Sequence, residues 1–98
     1  MLGALLSIIH GHAQNRTVTG KVTAAADDSP LPGVNVVIKG SATGSTTNAD
    51  GTYQIQVPNN ATLVFSFIGY ASREVVVGAQ TTINITLSDD VKQLTEVV

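Results

Sequence analysis

The feature that most constrains the fold of this chain is a two-residue alternation of apolar and polar side chains, interrupted at short intervals by turn-forming residues. A period of two places every second side chain on the same face of a β-strand. No stretch keeps the 3.6-residue period of an amphipathic helix over a helix-forming length. The pattern therefore predicts an all-β fold.

Seven segments follow this alternation. The predicted strands are 17–23, 34–39, 45–48, 52–57, 62–70, 72–77 and 81–87. Sequences rich in proline, glycine, asparagine and aspartate separate them, including an Asp-Gly pair at 50–51 that is typical of a tight hairpin. Short strands at this spacing predict a seven-stranded antiparallel β-sandwich.

One face of each predicted strand supplies the core. The inward residues are Val18, Gly20, Val22, Val34, Val36, Ile38, Tyr53, Ile55, Val57, Leu63, Phe65, Phe67, Ile83, Ile85 and Leu87. We place Phe65 at the centre of this set. The segment 62–70 is apolar on both faces, which predicts a central strand covered on each side. This much burial holds a small domain without a metal or cofactor.

Composition narrows the functional classes. With 98 residues the chain forms one small domain. Its five basic residues are scattered singly and the net charge is −2, which does not suit binding to nucleic acid. The absence of cysteine excludes disulfides, thiolate nucleophiles and zinc–thiolate sites.

The first thirteen residues have the character of an export signal. An apolar run from Leu2 to Ile9 is too short to span a bilayer, and small residues precede the expected cut after Ala13. Because the usual positively charged start is missing, we expect the natural start to lie upstream of Met1. Cleavage would leave Gln14 at the N-terminus and a mature chain without histidine. The alternative is a short buried helix.

The mature sequence does not suit catalysis. Without histidine or cysteine it has no side chain that ordinarily titrates near neutral pH. The paired carboxylates at 27–28 and 89–90 lie beside turns or linkers, where aspartate commonly bonds the backbone. The segment 48–51 resembles the start of a calcium loop but lacks the distant glutamate, which favours a plain hairpin turn. We predict no enzymatic activity, no metal and no cofactor.

The motifs also resemble those of a known family. "VTGKVT" at 18–23, "SPLPGVNVVIKG" at 29–40, "TGSTTNADGTYQI" at 43–55 and "LVFSFIGY" at 63–70 occur in order, followed by "VKQLTEVV". Together they resemble a carboxypeptidase-regulatory-like domain, a transthyretin-like or immunoglobulin-like sandwich. They are most similar to the copy at the N-terminus of SusC/RagA-type TonB-dependent outer-membrane transporters. Asn48 departs from the pattern, because the family often has aspartate there.

This resemblance implies a domain organisation and a role. Residues 1–13 would be a leader, 14–89 the sandwich, and 90–98 a linker with the start of a TonB box. Glu96, Val97 and Val98 match the first three positions of that box, whose common form is Glu-Val-Val-Val-x-Gly-Tyr-Gly. A short β-prone segment can add as a strand to the sheet of a partner. The implied partner is the periplasmic domain of TonB.

The resemblance further implies a location and other partners. The domain would lie on the periplasmic side of the outer membrane, attached to the plug and barrel of a longer parent chain. That parent would import glycans or peptides with a SusD-like surface lipoprotein. Two alternatives remain open at this point. One is a structural spacer or adhesin-type module of a secreted multidomain protein, and the other is an accessory domain of a secreted metallopeptidase.

Overall fold

The computed structural model describes residues 15–90, and all of the regular structure in this range is β-strand. The strands are β1 (Arg16–Ala24), β2 (Asn35–Ile38), β3 (Gly44–Thr46), β4 (Thr52–Val57), β5 (Thr62–Ser66), β6 (Arg73–Val76) and β7 (Ile85–Leu87). Within these residues, no helix is long and apolar enough to cross a membrane. The predicted seven-stranded all-β fold is confirmed.

The strands form two sheets, one with the order β4-β1-β7 and one with the order β3-β2-β5-β6. β1 is long enough to pair twice. Its residues 16–21 pair antiparallel with β4, and its residues 22–24 pair with β7. The β1–β7 pair is parallel, unlike the other pairs and unlike the antiparallel arrangement that we predict from the sequence. Parallel pairing is possible here because β7 reaches β1 after the chain has crossed through the other sheet, and not through a tight hairpin.

The core lies between the two sheets. Most of the predicted inward side chains are buried, and Phe65 is completely shielded from solvent. Its ring meets that of Tyr53 edge to face, with the ring centroids 5.4 Å apart and an interplanar angle of 74°. Because Tyr53 belongs to the three-stranded sheet and Phe65 to the four-stranded one, this contact joins the two layers.

The prediction for the segment 62–70 is wrong in two respects. β5 ends at Ser66, because Tyr70 N donates to Phe67 O across a turn in which Gly69 has a φ of 89°. The strand is central within its sheet, between β2 and β6, but its second face is only half-buried. With two layers, one face of each sheet has no layer to cover it.

Candidate functional site

The predicted site residues Glu96, Val97 and Val98 lie outside the described residues, as does the predicted leader at 1–13. What the structure does give is the point from which that C-terminal segment leaves. Asp90 N donates to Gly69 O at 3.0 Å, and Ala71 N donates to Ser88 O at 2.9 Å. The chain is therefore fixed to the β5–β6 loop up to its last described residue.

An apolar corner, formed by residues 67–70, adjoins this exit. The rings of Phe67 and Tyr70 stack with centroids 5.7 Å apart. Ile68 lies between them in the sequence and is 92% exposed. Among the described residues, Val76 is the other large hydrophobic side chain that is exposed, and it is less exposed than Ile68. The exit and this exposed side chain thus occupy the same end of the sandwich.

The first carboxylate pair belongs to a turn. Asp27 Oδ1 accepts hydrogen bonds from the Ser29 hydroxyl at 2.7 Å and from Ser29 N at 3.1 Å. The hydroxyl and then the amide of Ser29 hold the pKa of Asp27 below its ordinary value of 3.8. A lowered pKa keeps this carboxylate charged at neutral pH, where it accepts hydrogen bonds and holds no proton to deliver.

The segment that resembles a calcium loop is a capped turn. It is not the predicted hairpin, because the strands on its two sides, β3 and β4, pair in different sheets. Asn48 Oδ1 accepts from Asp50 N and Thr52 N, both at 3.0 Å, and Asn48 N donates to Thr52 O at 2.9 Å. The side-chain oxygen is therefore used within the turn. Within residues 15–90, no three side chains of the types that ligate metals lie together.

Two buried polar contacts were not predicted from the sequence. Tyr53 hydroxyl donates to Ile83 O at 2.7 Å, and burial raises the pKa of this phenol to about 12. The main chain at Ile83 comes so close to Gly20 that a side chain at Gly20 would place its Cβ 1.8 Å from Ile83 O.

The second buried contact is at Thr47. Its hydroxyl accepts from Val34 N at 2.9 Å and donates to Leu31 O at 2.5 Å. The polar character of Thr47 gave no sign of burial, because its partners are distant in sequence.

A shallow groove of about 540 Å³ is lined by residues of β1, β3 and β4, with Asn48 from the β3–β4 turn and Asn84 from the loop before β7. Hydroxyl and amide side chains dominate its walls. The lining residues are Thr19, Gly20, Lys21, Ser45, Thr46, Asn48, Thr52, Tyr53, Gln54 and Asn84. Among residues 15–90, the lining includes one cation, Lys21, and no carboxylate. Its groups form hydrogen bonds and attract negative charge, so the groove is suited to binding.

Comparison with known proteins identifies relatives. A family model described as "CarboxypepD_reg-like domain" matches residues 18–98. TonB-dependent receptor P3 of Formosa agariphila is 46% identical over 87 residues, which are 88% of this chain and 9% of the receptor. TonB-dependent receptor SusC of Bacteroides thetaiotaomicron is 39% identical over 98 residues, which are 100% of this chain and 10% of SusC. The chain thus spans about a tenth of the length of these relatives.

Solved structures share the fold. A type II cohesin–X-dockerin complex from Acetivibrio cellulolyticus gives a TM-score of 0.55 at 21% identity, covering 71% of this chain and 51% of the matched one. The pilus 2b backbone protein of group B streptococcus gives 0.52 at 18% identity, covering 80% of this chain and 42% of the other. At such identities the likeness establishes the β-sandwich architecture alone.

Proposed function

Since this chain belongs to the family of carboxypeptidase-regulatory-like domains, we propose that it is the non-catalytic N-terminal domain of a TonB-dependent outer-membrane transporter. The observation that carries the proposal is the 39% identity to SusC over the whole chain. The spacer and metallopeptidase alternatives lack comparable support, because the relatives named above are TonB-dependent receptors. In this role the domain lies on the periplasmic side of the membrane and couples the parent chain to its energy source.

The proposed coupling element is the segment that follows Asp90. Glu96, Val97 and Val98 begin a TonB box, which binds TonB by adding a strand to its sheet. The bond from Asp90 N to Gly69 O supports this proposal, because it anchors the start of the segment to a folded body. Because the start of the segment is anchored, a force applied to the segment is transmitted to the sandwich.

The other proposed partners belong to the parent transporter. They are its plug and barrel, and a SusD-like surface lipoprotein that captures glycans or peptides for import. The sandwich itself needs no cofactor for this role, since strand addition depends on main-chain hydrogen bonds.

Calorimetry tests the proposed coupling. The ligand is a peptide of residues 90–98 continued by Val-Ala-Gly-Tyr-Gly, titrated into the periplasmic domain of TonB. We expect saturable binding that is lost when Val97→Pro removes a main-chain donor. The matched control Lys92→Ala, in the spacer, should bind as the parent peptide does. Failure of the parent peptide to bind, or equal binding by the proline variant, would contradict strand addition by this segment.

A further inference from the structure

The free edge of β4 presents main-chain groups that no other strand within residues 15–90 pairs. Both main-chain groups of Thr52 bond to Asn48, so they point away from β1. Main-chain groups alternate in direction along a strand, and those of Gln54 and Gln56 therefore point the same way. β4 pairs only with β1 among the described strands, which leaves these two N–H and two C=O groups available.

The edge strands β7 and β6 differ from β4, because side chains cover or charge their outer edges. On β7, Thr86 O accepts from Arg73 Nη1 at 3.2 Å. On β6, Gln80 Nε2 lies 3.5 Å from Val76 O, and Glu74 forms an ion pair with Lys39 at 3.0 Å. Charged and capped edges of this kind discourage the addition of a strand. On β4, both outward residues beyond Thr52 are uncharged glutamines, and β3 lies nearby without pairing with the strand.

The open part of β4 has defined limits. At one end the turn at Asn48 uses the main-chain groups of Thr52. At the other end Pro58 follows the strand and has no N–H to offer. The window between them offers four main-chain groups, on Gln54 and Gln56, for hydrogen bonds with a short strand.

The groove described above adjoins this window at Gln54 and carries the charge of Lys21. The Lys21 side chain forms neither an ion pair nor a hydrogen bond with any described residue, and no carboxylate lines the groove. Lys21 is opposite Thr52 in the β1–β4 register, and it lines the groove together with Gln54. An incoming carboxylate would therefore meet an uncompensated cation.

We propose that this edge binds an extended peptide segment of a partner protein that carries a carboxylate among β-branched residues. The segment pairs antiparallel or parallel with Gln54 and Gln56, and its acidic side chain lies against Lys21. The domain is then an acceptor of a strand. This role is independent of the C-terminal segment, which the proposed function makes a donor.

Amide chemical shifts of the 98-residue chain provide the test, with the acetylated and amidated peptide Thr-Val-Glu-Val-Thr as the probe. We expect shifts centred on the amides of Gln54 and Gln56, and slower hydrogen exchange at both. Gln56→Pro removes one outward N–H without breaking a β1–β4 bond, and it should raise the Kd about tenfold. Lys21→Gln, or lysine in place of the glutamate of the probe, should also weaken binding.

Val76→Pro is the matched control, because the Val76 N–H also points away from the one strand that pairs with β6, and the residue is 66% exposed. Thermal unfolding of both proline variants checks that each is folded. Binding unchanged by Gln56→Pro in a folded variant, or shifts centred on β6, would overturn the proposal. So would concentration-dependent shifts at Gln54 without peptide, since the edge would then pair with a second copy.

Discussion

At the scale of single residues, two aromatic side chains hold the layers of the sandwich together. Phe65 is fully buried in one sheet, and Tyr53 brings both its ring and a hydrogen-bonded hydroxyl from the other. Phe65 contributes its burial and its ring contact with Tyr53. Tyr53 adds a directional bond to Ile83 O, which would otherwise be a buried acceptor without a partner.

Phe65→Ala tests the burial. Removing the largest fully buried side chain leaves a cavity that the surrounding strands fill only in part, and we expect the free energy of unfolding to fall by about 3–5 kcal/mol. Urea unfolding measures the change. Phe67→Ala, at a partly buried position, is the control and should cost less. A loss below about 1.5 kcal/mol at Phe65 would mean that the inward face has been assigned wrongly.

Tyr53→Phe tests the hydroxyl. The variant keeps the ring but leaves Ile83 O unsatisfied, so we expect a loss of about 1–3 kcal/mol in urea unfolding. Tyr70→Phe is the matched control, since the Tyr70 hydroxyl has no hydrogen-bond partner among the described residues. Equal stability of the two variants would show that the hydroxyl of Tyr53 contributes nothing.

The same hydroxyl gives a pH dependence. Its pKa in the folded chain is raised to about 12 from the ordinary 10.0, so the folded state favours the neutral phenol. The resulting stabilisation is fully present below about pH 10 and is lost as the pH rises toward 12. We expect urea unfolding between pH 9 and about 12 to show a steeper loss in the parent chain than in Tyr53→Phe. Parallel curves would contradict this assignment.

At the scale of the elements, the turn between β3 and β4 depends on one side-chain oxygen. Asn48 Oδ1 closes the turn by accepting two main-chain bonds. We expect Asn48→Ala to lower the free energy of unfolding by about 1–2 kcal/mol, by analogy with the loss of a capping oxygen. Asn48→Asp keeps an acceptor and should remain close to the parent. If thermal unfolding cannot separate the two variants, the turn does not depend on this oxygen.

The strands also show which features of the fold could be predicted from the sequence. Alternation predicted the burial of Tyr53 and Ile55, because the period of a strand is local to it. It placed the end of β5 too late, since apolar residues continue to Ile68 while the backbone turns at Gly69. Periodicity describes faces, and it does not describe where a chain turns.

The candidate site was less predictable. The resemblance pointed to Glu96, Val97 and Val98, which lie outside the described residues and stay a prediction. The open edge of β4 could not be found from sequence, because it depends on the pairing of strands that are far apart in the chain. No local pattern encodes the register between Gln54 and Thr19, or the fact that no second strand within residues 15–90 pairs with β4.

At the scale of the whole molecule, the two sheets share one core and should unfold together. The Tyr53–Phe65 contact connects the two layers, and β1 pairs with both of the other strands in its sheet, β4 and β7. Native-state hydrogen exchange should therefore give the same opening free energy at the β1 amides that bond β4 and at the β5 amides that bond β2. Sequential exchange, with one sheet opening at a lower free energy, would show that the layers are separable.

The parallel pairing of β1 with β7 has a mechanical consequence. The chain enters the sandwich at Arg16, six residues before Val22, the first residue of β1 in the parallel ladder with β7, and it leaves β7 at Leu87 beside Ala24. Entry and exit therefore lie at opposite ends of β1. A force that pulls them apart runs along the paired strands, so it loads their hydrogen bonds in shear and must break them together. The sandwich can thus carry tension as one body, where a hairpin pulled from its two open ends would unzip one bond at a time.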